Sequence, residues 1–559
     1  PFPARLGRRR RAAAGRNIHQ RPWFFHVTAG GATIEHDTDH DRRAPDGAPA
    51  LLHDLVSEAA GHGQSPAVID FAADAARPLT YSELHHAVDA FAAGLAAEGI
   101  DRGARVAVLG AAGAPWICAC LGAVRAGAVA VPVDARLDDA ALAHVLADAG
   151  PRLILADDDS RDRVAALAPE GSELRPLPPA RPDAPADAPA DAPAEGPAVP
   201  GAAAGDTALL FYTSGTTGPP KGVPLTHANV MFELARLREM GIVEPGERLL
   251  LPLPLHHVYP FVVGLLTALS YGVAVVLPRA LTGPDMQTAL REGRASVMLG
   301  VPRLYDTMLD GIDRRAAEAG LLGRAAWHAV RAASVGARRW LGLPLGRVLA
   351  RPIRRRIAPD LRLLVSGGAA LDPDLARRLD SLGWTVATGY GLTETAPMLT
   401  VLPPGDRHFE SAGRPVEGVE LRIVEEADGG GTGEIQARGP NVFSGYRNLP
   451  DETEQAFTAD GWYRTEDRGR FDGAGYLRVL GRSSLFAVTE AGENISLEEI
   501  EAAYARHPAI REIGTFMRDG RLAAVAVPDR DAIRARGDDP ERAVRAAVAE
   551  RGRDLPAYK

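Results

Sequence analysis

The feature that most constrains the fold is a regular alternation of short apolar strands and helices between Leu51 and about Ala156. The segments "RVAVLG", "AVAVPVD" and "RLILA" are apolar almost throughout. Strands of this kind are buried on both faces, which is typical of a parallel sheet covered by helices. "PLTYSELHHAVDAFAAGLAAEGI" predicts a helix that begins at Thr80 or Ser82. A dinucleotide-binding fold would also fit, but no GxGxxG turn follows the first two strands.

A stretch rich in glycine and hydroxyl groups follows at Phe211–Thr226, "FYTSGTTGPPKGVPLT". It exposes many backbone N–H groups and short hydroxyl donors, which suits a polyphosphate ligand. Glycine is needed where a Cβ would hold phosphate oxygens away from the backbone. The GK[ST] ending of the common P-loop is missing, because Gly222 follows Lys221. From these residues alone, a surface turn is an open alternative.

"YTSGTTGPPKG" resembles the phosphate loop of the adenylate-forming (AMP-binding) enzymes, and of the long-chain fatty acyl-CoA synthetases in particular. "LPLHH", "LRLLVSGGAALDPDL", "TGYGLTETAP" and "YRTEDRGRF" resemble further motifs of that family, in family order. The resemblance covers residues 51–559 and implies an α/β fold. Its large N-terminal domain, residues 51–480, would combine parallel-sheet βα layers with a small β-barrel. A small mobile α+β C-terminal domain, residues 481–559, would follow and be present only in part.

Two segments are expected to lie outside this core. Residues 1–50 receive no predicted structure and are expected to form a disordered arm. Residues 177–205 are a Pro/Ala tract of low complexity, which we interpret as a linker within the large domain.

The family resemblance also implies the ligands and their residues. ATP, Mg²⁺ and coenzyme A are the implied cofactors. Glu394 would hold Mg²⁺, which prefers carboxylate and phosphate oxygens. The implied catalytic residues are Thr216, Lys221, Thr393, Glu394 and Arg482. The implied nucleotide-binding residues are Thr213, Ser214, Gly215, Thr216, Thr217, Gly218, Lys221, Gly368, Ala369, Ala370, Tyr390, Gly391, Thr393, Asp467 and Arg482.

An acyl pocket is implied on the other side of the reacting phosphate. His257 matches the histidine of a family motif beside the carboxylate, although a pair of surface imidazoles is the alternative for His256 and His257. Phe261 is a candidate gate, and Gly300 and Tyr305 lie in "VMLGVPRLYDTML", which resembles a tunnel-lining segment. Members that activate amino acids hold the amino group with an Asp, and residues 249–277 contain none. The predicted substrate is therefore a fatty or other apolar acid.

Composition excludes some function classes and adds one surface. A formal net charge of −9 argues against a general nucleic-acid binder. Cys118 and Cys120 lie in an apolar run and are predicted to be buried thiols. Residues 324–357 carry nine arginines and no acid, which predicts either contact with anionic lipid or a solvated helix face. The expected location is cytoplasmic, with peripheral contact at the inner face of the membrane.

Three departures from the family pattern weigh against turnover. Glu466 stands where the family usually has Gly, and Leu485 stands at the usual Asp of the hinge. By resemblance the catalytic lysine lies beyond "LPAYK", so Lys559 is not expected to be that lysine. The predicted function is ATP-dependent formation of acyl-AMP followed by transfer to coenzyme A. The alternatives are transfer to an acyl carrier protein, release of the adenylate, or a degenerate ligase that binds nucleotide without turnover.

Overall fold

The structure is a computed structural model that describes most of the chain between residues 51 and 551. The described residues are 25–28, 31–34, 51–72, 78–181, 199, 201–213, 218–318, 320–425, 431–482, 486–488, 494–497, 500–501, 504, 507–518, 521–534 and 539–551.

The first sheet, called here the N-terminal sheet, has six strands. In spatial order they are Lys221–Thr226, Thr207–Thr213, Val129–Val133, Arg105–Leu109, Leu153–Ala156 and Glu173–Pro176. All neighbours are parallel except the first pair, which is antiparallel. The connecting helices are Tyr81–Ala97, Ala114–Arg125, Asp139–Ala149 and Asp158–Leu167. Thr80 caps the first of these helices through a capping box with Glu83, which confirms one of the two predicted starts.

The second sheet, called the central sheet, has nine strands and carries most of the remaining helices. Its spatial order is Arg414–Pro415, Thr400–Leu402, Thr385–Tyr390, Leu363–Ser366, Val297–Gly300, Arg248–Leu250, Ala274–Leu277, Pro66–Asp70 and Leu79–Thr80. The six inner strands from Thr385–Tyr390 to Pro66–Asp70 are parallel. The predicted parallel layers are therefore present in both sheets.

Helices of three kinds cover the central sheet. The α-helices are Leu52–Ala59, His227–Met240, Thr267–Ser270, Gly283–Glu292, Pro302–Glu318, Gly320–Leu341, Gly346–Leu349, Arg351–Ile357 and Pro373–Ser381. Ala60–His62 and Thr393–Thr395 are 3₁₀ turns, and Tyr259–Leu266 is a π-helix. Within the described part of the chain, no helix combines the length and apolarity needed to cross a bilayer.

The third sheet is antiparallel and stands where a small β-barrel was predicted. Its order is Phe25–Thr28, Gly31–Ile34, Glu420–Glu425, Gly433–Arg438, Tyr463–Phe471 and Leu477–Arg482, with helix Pro450–Ala456 beside it. Among the described strand pairs, its first and last strands are not joined to each other.

The N-terminal segment corrects one expectation. Phe25–Thr28 and Gly31–Ile34 form an antiparallel hairpin, and Ile34 and Thr33 pair with Leu421 and Arg422 of the third sheet. The prediction that residues 1–50 lack structure is therefore wrong for these eight positions. The physical reason is that an edge strand offers unpaired backbone groups, which even a weakly patterned segment can satisfy.

The described residues of the C-terminal part include two antiparallel strand pairs and two helices. Phe486–Val488 pairs with Asn494–Ser496, and Ile510–Arg518 pairs with Arg521–Pro528. Helices Arg530–Arg534 and Pro540–Arg551 follow. Strands and helices in this order match the expected α+β character.

The two cysteines lie in the core, as predicted. Cys118 and Cys120 are free thiols on helix Ala114–Arg125, and neither is exposed to solvent. Burial raises the pKa of the Cys118 thiol to about 12, so at neutral pH it is a small apolar side chain rather than a nucleophile.

Candidate active site

A cavity of about 1620 Å³ lies at the carboxyl ends of several central-sheet strands. Strands Val297–Gly300, Leu363–Ser366 and Thr385–Tyr390 lead directly into residues that line it. Asp467 and Arg482, from the antiparallel sheet, complete the wall. Ligands of open α/β sheets bind in the crevice beyond the carboxyl ends of the strands, so the topology indicates that this cavity is the candidate active site.

The two strands that flank the hydroxyl-rich segment, Thr207–Thr213 and Lys221–Thr226, pair in antiparallel register. Thr213 ends the first strand, Lys221 begins the second, and the two residues face each other. Thr213, Gly218 and Lys221, which the resemblance assigns to the nucleotide, line the cavity. Residues 214–217, which include the predicted catalytic Thr216, lie outside the described residues.

Glu394 is a buried carboxylate that faces the cavity, next to Thr393, which also lines it. The Tyr446 hydroxyl donates a 2.8 Å hydrogen bond to Glu394 Oε1. Burial raises the pKa of Glu394, and the hydrogen bond from Tyr446 opposes that rise. The described residues contain no group of three or more His, Cys, Asp or Glu that could hold a metal alone. Mg²⁺ needs only one or two carboxylates when phosphate and water supply the other oxygens, so Glu394 fits the implied ion.

Tyr446 connects the two charged groups of the phosphate end, and sequence reasoning missed it. Its hydroxyl binds Glu394, while the Lys221 ammonium lies 5.0 Å from the centroid of its ring. A cation over an aromatic face is held there electrostatically. One side chain thus orients both the anion and the cation that would face a triphosphate.

Tyr390, Asp467 and Arg482 form a second group. The Tyr390 hydroxyl donates a 2.7 Å hydrogen bond to Asp467 Oδ2. Asp467 and Arg482 face each other on adjacent strands, and Arg482 Nε lies 3.6 Å from Asp467 Oδ1. Burial raises the pKa of Asp467, whereas the Tyr390 hydrogen bond and the Arg482 charge lower it. The structure therefore brings together all three residues that were predicted separately from distant motifs.

The predicted glycine-rich segments have two different physical roles. Gly368, Ala369 and Ala370 are exposed to the cavity and present a flat, short surface. Gly391 also lines the cavity, but a Cβ on it would lie 1.7 Å from the Pro397 carbonyl oxygen. Gly391 is therefore required by close backbone packing, whatever else it contacts.

Glu466 is a strained residue beside this group. It lines the cavity next to Asp467 and has φ of 60°, in the left-handed region. Glycine adopts this conformation without a Cβ clash, whereas other residues are strained by about 1–2 kcal/mol. The family's usual Gly at this position thus has a conformational reason, and this chain carries a carboxylate there instead.

One part of the cavity lining, called here the apolar end, is aliphatic. Its residues come from helix His227–Met240 and the residue pair after it, from the segment before the π-helix, and from the π-helix itself. Its aliphatic lining residues are Leu237, Ile242, Leu253, Val258 and Val263.

His257, which the resemblance places beside the substrate carboxylate, lines the cavity and is exposed to it. Partial desolvation by the surrounding protein lowers the pKa of His257, and nearby Asp134 only partly opposes this effect. For His256, burial and the adjacent His257 lower the pKa to about 4. Both imidazoles are therefore neutral near pH 7, and His257 would act on a carboxylate as a hydrogen-bond donor rather than as a fixed charge.

Three predicted acyl-pocket residues do not reach the cavity. Phe261 is fully buried and makes edge contacts with Trp116 and Phe211, with ring centroids 6.0 and 5.7 Å apart. Gly300 and Tyr305 are not among the described residues that line it. The Tyr305 hydroxyl instead donates hydrogen bonds to backbone carbonyls of the central sheet. The prediction of these three as pocket residues is not supported by their placement.

Tyr259, two positions before Phe261, faces the cavity instead. It lines the cavity, and its hydroxyl donates to the Val365 and Gly300 carbonyls at 3.0 and 3.3 Å. A Cβ on Gly367 would lie 2.7 Å from its ring. Tyr259 therefore packs directly against the glycine-rich segment that also lines the cavity. It begins a π-helix, a rare geometry that recurs at functional sites.

Comparison with known proteins places this geometry in a family. Residues 55–447 match the family described as AMP-binding enzyme. Among curated proteins, the chain is 31% identical over 471 residues to a feruloyl-CoA synthase of Amycolatopsis sp, covering 82% of this chain and 86% of that protein. It is 31% identical over 455 residues to long-chain-fatty-acid–CoA ligase FadD15 of Mycobacterium bovis, covering 78% and 74%.

Other relatives carry different substrate names. A malonate–CoA ligase of Arabidopsis thaliana is 28% identical over 425 residues, covering 74% of this chain and 65% of that protein. Among solved structures, the ATP-bound MatB from Rhodopseudomonas palustris superposes with a TM-score of 0.70 at 26% identity, covering 91% of this chain and 93% of that one. Relatives named for chemically different acid substrates are thus similar to this chain at nearly the same level.

Proposed function

The chain belongs to the AMP-binding enzyme family, and from this membership and the cavity we propose that it activates an apolar carboxylic acid with ATP and transfers the acyl group to coenzyme A. The AMP-forming CoA ligases of this family use ATP, Mg²⁺ and coenzyme A. The observation that carries the proposal is a cavity lined both by charged groups and by aliphatic side chains.

The first step would form a mixed anhydride. A substrate carboxylate oxygen attacks the α-phosphorus of ATP, the bond to the β-phosphate oxygen breaks, and acyl-AMP and pyrophosphate result. We assign Lys221, Thr393 and the loop around Thr216 to the phosphates, and Tyr390, Asp467 and Arg482 to the nucleoside. Mg²⁺, held by Glu394, would neutralise charge on the phosphates. Positioning and charge neutralisation, rather than covalent chemistry by the protein, supply the rate.

The second step would transfer the acyl group to a thiol. The sulfur of coenzyme A attacks the acyl carbon, AMP leaves, and a thioester forms. We propose that the C-terminal part turns relative to the large domain between the two steps, which would admit the thiol. An acyl carrier protein is the alternative acceptor, and it would present the same thiol chemistry on a larger partner.

The apolar end of the cavity supports a neutral substrate tail. A malonate or sulfoacetate tail carries a second negative charge, which would need a cation to replace its hydration. The five aliphatic residues of that wall offer none, and His257, which also lines the cavity, is neutral. Burial of an alkyl or aryl tail against the same wall is favourable in proportion to its area. We therefore propose a fatty or aryl acid.

A degenerate ligase is the second candidate function, and Glu466 favours it. The Glu466 carboxylate lies beside the proposed nucleoside site and adds a negative charge where a triphosphate would bind. In this case the protein would bind nucleotide without forming acyl-AMP.

One assay separates these candidates. The protein would be incubated with ATP, Mg²⁺, hydroxylamine and a single acid, and both pyrophosphate and the hydroxamate of the captured adenylate would be measured. We expect dodecanoate or ferulate to exceed malonate, sulfoacetate and every amino acid, and addition of coenzyme A to give a thioester by mass spectrometry. Preference for a charged or amino acid would refute the substrate proposal. Lys221→Met should abolish the signal, while Arg470→Gln, an exposed position away from the cavity, is the matched control.

Nucleotide binding without turnover needs its own measurement. Lys221 and Lys559 are the only lysines in the sequence, so a reagent that modifies amines and carries a phosphate group has few side chains to label. Protection of Lys221 by ATP, with no hydroxamate from any acid, would support the degenerate ligase. Peripheral contact with anionic lipid through residues 324–357 is a separate proposal, because it depends on surface chemistry and not on this cavity.

A further inference from the structure

An exposed apolar surface lies in the ten residues 340–349, at the end of helix Gly320–Leu341 and through helix Gly346–Leu349. Six large apolar side chains in this segment, called here the apolar tip, are between 40% and 80% exposed. They are Trp340, Leu341, Leu343, Leu345, Val348 and Leu349. Single exposed apolar residues are ordinary, but six within ten positions form the kind of contiguous patch that marks an interaction site.

The backbone of the apolar tip is fixed against the protein. Arg338 donates to Asp380 at 2.9 and 3.0 Å and to the Gly342 carbonyl at 3.1 Å. Gly346 is buried so closely that a Cβ would lie 1.7 Å from the Ser381 carbonyl oxygen. The outward direction of the apolar side chains is therefore set by packing on the inner side.

Exposed arginines, called here the arginine collar, lie within the apolar tip and directly after it in the sequence. Arg347, Arg351, Arg355 and Arg356 are exposed, and none of them forms an ion pair with a described acid. Residues 324–357 contain no Asp or Glu, whereas the whole chain has a formal net charge of −9. This face is thus locally cationic on a molecule that an anionic surface would otherwise repel.

We propose that the apolar tip and its arginine collar dock onto an anionic lipid bilayer. The apolar side chains would enter the boundary between headgroups and acyl chains, and the guanidinium groups would bind lipid phosphates, which they match in geometry. A protein partner would need a uniformly anionic surface, because residues 324–357 offer no acid with which a basic side chain of the partner could pair. A lipid headgroup layer has that property by nature.

Binding to vesicles tests the proposal in two arms. The protein would be sedimented with vesicles of phosphatidylcholine alone or of phosphatidylcholine mixed with phosphatidylserine, at low and high salt. We expect binding to the anionic vesicles, with each Arg→Gln change at 351, 355 or 356 weakening it by about fivefold and high salt weakening it further. Equal binding to neutral and anionic vesicles, unchanged by salt, would contradict the proposed role of the arginine collar.

The apolar arm uses the double variant Trp340→Ser/Val348→Ser. We expect at least tenfold weaker binding, because the variant no longer transfers two large apolar side chains from water into the bilayer. The matched control is Val525→Ser, an equally exposed valine on a C-terminal strand, which should bind as the unaltered protein does. Unchanged melting temperatures would show that the variants fold. No vesicle binding at all, or lipid-free self-association that the double variant abolishes, would refute the proposal.

Discussion

The two ends of the cavity are built in different ways. The phosphate end is assembled from charged groups that aromatic hydroxyls hold in place: Tyr446 contacts Lys221 and Glu394, and Tyr390 binds Asp467. The apolar end, which we propose holds the acyl tail, is lined by aliphatic side chains. We infer from the contrast that the reaction class depends on a few directed contacts, whereas the choice of acid depends on shape and on the absence of charge.

The largest effect is expected at the phosphate end. Glu394→Gln keeps the shape of the side chain but removes its charge, and should lower the rate of adenylate formation by about 10²–10³-fold. Glu452→Gln is the matched control, because Glu452 lines the same cavity without contacting this group. The rate of pyrophosphate release at saturating Mg²⁺ is the measurement. Equal rates for both variants would show that Glu394 has no electrostatic role.

Tyr446→Phe should have the next largest effect. It retains the ring beneath Lys221 but removes the hydroxyl that donates to Glu394. A hydrogen bond to a charged group contributes about 1.5–3 kcal/mol, so the loss predicts a tenfold to hundredfold fall in kcat/KM. Tyr446→Leu also removes the ring and should be worse. If the Phe and Leu variants have equal kcat/KM, the position of Lys221 does not depend on the aromatic ring.

Leu253→Arg tests the acyl end of the comparison. Leu253 is half-buried in the aliphatic wall, so a long cationic side chain can enter the cavity without opening the core. The preference for dodecanoate over malonate should fall by about tenfold or more, since one large apolar contact is worth about 1.5–3 kcal/mol. ATP affinity should not change. A variant that loses ATP affinity and keeps its acid preference would contradict the assignment of the two ends.

Glu466→Gly is expected to have the smallest effect, and it should increase both the stability of the fold and the affinity for ATP. Removing strain at positive φ should stabilise the fold by about 1 kcal/mol, and removing the charge should tighten ATP binding a few-fold. Glu466→Gln separates the two causes, because it removes the charge and keeps the strain. Unchanged melting temperature in the Gly variant would argue that the left-handed conformation costs nothing here.

The sequence predicted the phosphate end better than the acyl end for a physical reason. Thr213, Lys221 and Glu394 lie in glycine- and hydroxyl-rich runs whose composition already indicates their chemistry. Tyr446 carries no such signal, because only the fold places it between a lysine and a glutamate more than fifty residues away along the chain. The parallel layers were predictable from apolar strands, but the edge hairpin at Phe25–Ile34 was not.

The placement of Phe261 away from the described cavity has a geometric cause. Phe261 lies two positions after Tyr259, and side chains two apart on a helix point to opposite sides. Tyr259 and Val263, four apart, face the cavity, and Phe261 faces Trp116 instead. Aliphatic lining residues come from several elements without a shared pattern, so no sequence motif could have identified the wall.

The most direct test of the account is the affinity of stable acyl-AMP mimics, because such ligands occupy both ends of the cavity at once. Calorimetry would compare sulfamoyl-adenosines with alkyl, aryl, malonyl and aminoacyl tails. The account predicts that each added alkyl methylene tightens binding by about fourfold until the wall is filled. It also predicts that a charged tail binds no better than sulfamoyl-adenosine without a tail. A malonyl or aminoacyl mimic that binds more tightly than the dodecanoyl mimic would contradict it.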